Sequence, residues 1–277
     1  DINRSADRFT VEEGGIRFGL VAIKNIGRGF IQAVMRERET GGDFSSLYDF
    51  CSRMNGSEMN KRAVENLIRS GAFDSMGARR SQLIKVYETV MDSVAAQQRD
   101  NVEGQMDFFS MAAASSGAPA PVKEIPLPDI PEYTPEELMT MEKATTGLYL
   151  SGHPMDHYRE IVRKLNAPSI ASILADFARE DGPERFADGQ RVTIAGVITS
   201  SKTKTTKNNS LMAYVMVEDD TASMELLCFS RVLETCGAYM KENLAVVVKG
   251  RLSVRDEKAP QIVCDSIYPL TTADGGI

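Results

Sequence analysis

The segment Lys24-Asn25-Ile26-Gly27-Arg28-Gly29 joins two glycines to two basic residues immediately after the apolar Ile23. An apolar helix end, a sharp bend and a new helix is the layout of a helix-hairpin-helix. Glycine lets one backbone approach another closely, and the first amides of the second helix are unpaired at the positive end of its dipole. Phosphate oxygens fit such a bend without any reading of sequence, which suits a protein that holds DNA by its backbone. Lys24 and Arg28 would add charge. An ordinary helix–helix turn has the same composition, and this segment alone leaves both readings open.

Three further segments bear on binding. Leu67 to Asp74, followed by Arg79-Arg80, resembles a second hairpin with Phe73 as its apolar plug; Arg69, Arg79 and Arg80 could meet phosphate or form a solvated face. Gln105-Met106-Asp107-Phe108-Phe109 places two adjacent aromatics beside a low-complexity stretch. Exposed Phe-Phe is costly unless covered, so it either tucks back on its own domain or anchors a peptide in a partner's groove. Ser200 to Ser210 holds Lys202, Lys204 and Lys207 among small hydroxyl residues with no acid, and is expected to be a flexible basic loop. Tyr214 and Phe229 on the following strands could stack on bases, and Arg251 could add charge, although each strand residue could equally face a core.

Catalytic constellations are harder to find. Ser151-Gly152-His153-Pro154-Met155-Asp156-His157 gathers both histidines, an Asp and a Ser. Pro154 breaks the helix that would align the histidines, so a structural turn with a capping Asp is the better reading. Cys51, Cys228, Cys236 and Cys264 are scattered, with no C-x-x-C pair, and read as reduced buried thiols suited to a cytoplasmic location. No phosphate loop of the G-x-x-x-x-G-K-[ST] type is present. No active site and no cofactor site emerge from these residues.

Patterning indicates which helices and strands carry these segments. At 277 residues, with 42% hydrophobic and 26% charged residues, the chain is long enough for two domains. No stretch approaches the ~18–20 apolar residues of a membrane span, so a soluble protein is expected. The chain opens Asp1-Ile2-Asn3-Arg4, which reads as a piece of something longer. The net charge of −7 is concentrated in the middle: 111–190 carries 7 bases against 13 acids, while both ends are balanced and free to carry a local basic strip.

After a short extended lead-in, helical spacing predicts helices from Phe30 to Thr40 and over 45–53, 59–70 and 78–100. Ala112 to Pro131 carries five prolines and reads as an extended connector. Thr134-Pro135-Glu136-Glu137 is a strong helix start. From Arg191 the period becomes two, with strands expected over 191–199, 211–218, 223–229, 244–254 and 261–268 and a helix from Val232 to Met240 after the third. That order is the order of an OB barrel. The fold class is therefore multidomain α + β: a helical helix-hairpin-helix region at 1–110, a linker at 111–133, a helical connecting segment at 134–188 and a five-stranded OB barrel at 189–272.

Asp-Ile-Asn-Arg-Ser at 1–5, Gly-Gly-Ile-Arg-Phe-Gly-Leu at 14–20 and Asn-Lys-Arg-Ala-Val-Glu-Asn-Leu-Ile-Arg-Ser-Gly-Ala-Phe-Asp at 60–74 carry a further signal. With Gly-Leu-Tyr-Leu-Ser-Gly-His-Pro at 147–154, Arg-Val-Thr-Ile-Ala-Gly-Val-Ile-Thr at 191–199 and Met-Ala-Tyr-Val-Met-Val-Glu-Asp at 212–219, they resemble the C-terminal part of bacterial DNA polymerase III alpha subunits. The resemblance covers most of the chain except the connector. It implies a duplex-gripping hairpin at 24–29, with Asn25 where the family usually has Gly. It also implies a sliding-clamp peptide at 105–109 and a barrel that holds single-stranded template. Duplex and single-stranded DNA, the sliding clamp and other replicase subunits are the implied partners. The parent would be a DNA-directed DNA polymerase using Mg²⁺ and deoxynucleotides, with its catalytic aspartates in a palm domain outside these residues. The competing reading is a helix-hairpin-helix and OB module of another nucleic-acid enzyme, such as a DNA ligase or a tRNA synthetase.

Overall fold

The structure, a computed structural model, describes residues 1–12, 14–56, 59–102, 125–206, 209–255 and 259–270. The aromatic peptide Gln105, Met106, Asp107, Phe108, Phe109 and the loop residue Lys207 lie outside the described residues. The chain divides into two compact units, Asp1–Ser151 and Gly152–Ile277.

In the first unit the extended lead-in is a hairpin of β1 (Thr10–Glu12) and β2 (Gly15–Arg17), followed by a single 3-10 turn, Leu20–Ala22. The helices are α1 (Arg28–Gly41), α2 (Leu47–Met54), α3 (Lys61–Arg69), α4 (Arg80–Val102) and α5 (Pro135–Thr146). Their N-termini are set locally: Ser46 accepts from the Asp49 amide, Asn60 from the Ala63 amide, and Thr134 with Glu137 forms a reciprocal capping box. The apolar faces meet at Phe50, whose ring packs edge-on against Phe30, Phe44 and Phe73 at centroid distances of 6.3, 5.0 and 5.1 Å. All four rings are buried. Such edge-to-face pairs add about 0.5–1.5 kcal/mol each beyond burial.

Residues 125–133 of the expected connector have no regular secondary structure but are tied down. Ile125 packs against the core, Gln82 Nε2 donates to the Pro128 carbonyl at 2.8 Å, and Arg79 donates to that of Ile130 at 2.7 Å. Glu132 accepts from the amides of Arg80 at 2.7 Å and Ser81 at 2.9 Å, satisfying two of the free amides at the start of α4. The segment expected as one connecting stretch over 134–188 is shared: α5 and the residues up to Ser151 belong to the first unit, and Gly152 onward to the second.

The second unit begins with a 3-10 turn at Pro154–Tyr158, then α6 (Arg159–Lys164) and α7 (Ile170–Phe177). Its five strands, β3 (Arg191–Thr205), β4 (Leu211–Glu218), β5 (Ser223–Phe229), β6 (Ala245–Ser253) and β7 (Gln261–Pro269), form a closed barrel in the order β3-β4-β5-β7-β6. The β5–β7 pair is parallel, and the other pairs are antiparallel. Helix α8 (Ser230–Cys236) follows the third barrel strand, as patterning indicated, and seals the barrel with Val232 and Cys236. Alternation sends Ile194, Ile198, Ala213, Val215, Val217, Leu226 and Val248 inward. Gly196 is required by packing, because a Cβ there would lie 2.6 Å from the Glu218 carbonyl oxygen on β4.

The basic stretch after Ser200 is not the free loop that its composition suggests. β3 continues through it, pairing Lys202 with Tyr214 and Lys204 with Met212. Its Thr and Ser residues extend the period-two pattern, and β4 supplies partners as far as Leu211.

Candidate nucleic-acid interfaces

The bend of the first unit starts from the 3-10 turn, so a full first helix is absent from this hairpin. Asn25 takes the left-handed conformation, with φ 62°, which asparagine tolerates better than most residues. The bend is fixed from outside as well. The Lys24 amide donates to the Thr145 carbonyl at 2.8 Å, and Asn66 Nδ2 donates to the Lys24 carbonyl at 2.7 Å.

Beyond the bend, Gly27 caps α1 with no side-chain hydrogen bond, and no acid lies in the first turn. Gly27, Arg28 and Gly29 are exposed, while Ile26 packs partly against the core. Arg28 at the first helical position has the sign that the helix dipole disfavours. An anion set against these amides would relieve both deficits. Lys24 Nζ donates to the Ala144 carbonyl at 2.8 Å, so its charge sits at the C-terminal end of α5 rather than over the α1 amides.

The arginines of the second hairpin each pair with an acid of the protein. Arg69 pairs with Glu65 at 2.9 Å and Arg79 with Asp129 at 3.4 Å. Arg80 is buried between Asp74 at 2.6 Å and Glu142 at 3.0 Å. Glu142 is itself fully buried and also accepts from the Leu150 and Ser151 amides at 2.8 and 2.9 Å. Buried Arg80 holds the fold together instead of offering a phosphate contact, and Phe73 is the core plug its sequence context suggested.

In the second unit the register gathers the expected single-strand residues on the outer face of β3, β4 and β5. Lys202, Tyr214 and Leu227 form one transverse row, and Lys204, Met212 and Phe229 the next. Phe229 is 45% exposed and points away from the core, while Tyr214 is half-buried with Lys204 Nζ 5.2 Å from its ring centroid. The second row also brings in Met212, which sequence reading passed over; strand alternation from Tyr214 was the available signal. Arg251 lies further round the barrel, exposed and 3.7 Å from Asp265. Two cations over an apolar and aromatic strip can contact a strand's phosphates and stack its bases.

The His153 segment is structural. Asp156 accepts from the His153 amide at 2.7 Å, and the Met155 amide donates to His153 Nδ1 at 3.1 Å. Burial holds the imidazole below its ordinary value despite the carboxylates around it. The His153 amide is the main influence holding Asp156 below the usual carboxylate range, assisted by Arg159. Among the described residues no group of three or more His, Cys, Asp or Glu could hold a metal ion. Among the described residues no helix is long and apolar enough to cross a membrane.

Comparison with known proteins agrees with both halves. Residues 1–83 match the family model for the helix-hairpin-helix motif, and residues 192–270 match an OB-fold nucleic acid binding domain. The chain is 32% identical over 272 residues to the DNA polymerase III subunit alpha of Saccharopolyspora erythraea, covering 96% of this chain and 22% of the relative. It is 35% identical over 259 residues to that of Deinococcus radiodurans (92% and 19%), and 30% identical over 257 residues to that of Vibrio cholerae (92% and 21%). Among solved structures, the SSB domain of a Synechococcus protein covers 30% of this chain and 99% of its own at 15% identity and a TM-score of 0.27, too distant to bear on function. The chain thus spans about a fifth of the length of its curated relatives. Across nearly its whole length, through both the bend-bearing unit and the barrel, this chain belongs to the bacterial DNA polymerase III alpha-subunit family.

Proposed function

We propose that this chain is a DNA-holding region of a replicative polymerase alpha subunit, with nucleotide transfer carried out by residues outside it. The bend at Asn25 to Gly29 takes the phosphate backbone of duplex DNA. The β3–β4–β5 face takes single-stranded DNA. Gln105 to Phe109 is the sliding-clamp tether, a role supported by the family resemblance of those residues. Mg²⁺, deoxynucleotides and other replicase subunits belong, on this reading, to the longer protein.

The observation that carries the proposal is the placement of Lys202, Lys204, Tyr214 and Phe229 on one outer face of a closed barrel. Its test is oligothymidine binding as a function of salt. Each phosphate contact on a single strand contributes about 0.7 to the slope of log K against log salt. Changing Lys202→Ala and Lys204→Ala together should lower that slope by about 1.4. An unchanged slope removes this face from the proposal.

A further inference from the structure

The barrel carries a second concentration of positive charge away from the β3–β4–β5 face. An open groove of about 970 Å³ is lined by α8 and by β3, β6 and β7. Four exposed cations border it: Arg191 on β3, Arg231 on α8, and Lys249 and Arg251 on β6. Asp265 is the one carboxylate among the described residues that line it. Two tyrosines stand at its wall, Tyr239 at 37% and Tyr268 at 51% exposure. In a chain of net charge −7, four cations against one acid is a local departure from the average.

The strand register connects this groove to the face already described. Lys202 pairs with Tyr214, Tyr214 with Leu227, Leu227 with Val263, Val263 with Arg251, and Arg251 with Arg191. One transverse row thus leads from the lysine-bearing face into the groove. At 4.7–4.9 Å between neighbouring strands, Lys202 to Arg251 is roughly 19 Å around the barrel wall, with Leu227 in that row buried. Cations beside exposed aromatic rings repeat the chemistry of the first face.

We propose that the groove between α8 and β6–β7 is a second single-strand track, which binds the backbone of a strand as it leaves the β3–β4–β5 face and so lengthens the footprint of the barrel. The proposal rests on the single-strand reading of that face and assigns Arg191, Arg231 and Lys249 to binding for the first time. It also gives Tyr268 a reason to stand exposed on β7.

The test uses the whole chain and fluorescence anisotropy with two oligothymidines, of about 6 and about 16 nucleotides, within the range that single OB folds cover. The triple change Arg191→Ala, Arg231→Ala, Lys249→Ala should weaken the long oligonucleotide about tenfold and lower its salt slope by about 2, from ~0.7 per contact. The short oligonucleotide should bind within twofold of the unaltered chain. Arg231→Glu alone, on the helix and outside the strand ladder, should show the same length-dependent loss without disturbing strand pairing. If neither alteration changes the affinity or slope for the long oligonucleotide, the groove is not a track.

The change Lys202→Ala with Lys204→Ala separates the two readings. Loss at both lengths there, with no loss in the groove variants, overturns the groove and leaves the face standing. No loss there, with length-dependent loss in the groove variants, overturns the face and leaves the groove as an independent site.

Discussion

Asn25 must adopt φ 62° for the chain to pass from the 3-10 turn into α1. Asparagine accepts that conformation more readily than branched residues, and glycine accepts it without strain. Asn25→Gly should therefore leave stability within about 1 kcal/mol of the original, while Asn25→Val should cost about 1–2 kcal/mol and disorder the amides behind it. Urea unfolding and duplex binding, measured on both variants, check this: the valine variant should lose on both, the glycine variant on neither. Phe229 gives the complementary case. Its exposed ring contributes little to the core, so Phe229→Ala should scarcely move the unfolding midpoint. Base stacking is worth about 1–3 kcal/mol, so single-strand affinity should fall by roughly 5- to 150-fold. A stability loss with unchanged affinity would return Phe229 to a packing role. The sequence left its direction open, because a strand's last residue before a helix can face either way; pairing with Met212 decides it.

Among the elements, α4 shows how a long helix can depend on a distant cap. Glu132 stands 52 residues from Arg80 and accepts from its amide. Burial alone would raise the Glu132 carboxyl, but the amides of Ser81, Tyr133 and Arg80 outweigh it and hold the group below its ordinary value of 4.5. A carboxyl lowered in the folded state stabilises it fully above that ordinary value and loses the contribution as pH falls through the lowered one. Glu132→Ala should cost about 1 kcal/mol at neutral pH, as helix-cap losses do, and progressively less below pH 4.5. Denaturant titrations of both proteins across pH 3–7 check the sign. Helix positions were legible in the chain because apolar spacing and caps are local. The fates of Arg79 and Arg80 were not, since their partners Asp129 and Glu142 lie 50 and 62 residues away. The strand through Lys202 and Lys204 was missed for a related reason: composition suggests a loop, while the β4 ladder that orders it is a tertiary fact.

On the scale of the whole molecule, a net charge of −7 says nothing for DNA binding, and only local arrangement does. The bend and the barrel face lie in different compact units, so each should bind through its own residues. The proposed tether at Gln105 to Phe109 falls between the bend and the barrel in the sequence. If it anchors two aromatic rings in a clamp's groove, truncating both rings removes the most tightly packed part of that contact. Phe108→Ala with Phe109→Ala should then reduce co-elution with the sliding clamp to background in size-exclusion chromatography. The same variant should keep the oligothymidine affinity and salt slope of the original, because neither ring belongs to the barrel. Retained co-elution would assign those aromatics to their own domain. A parallel loss of oligonucleotide binding would show that the rings support the fold, and the tether would fail on that outcome too.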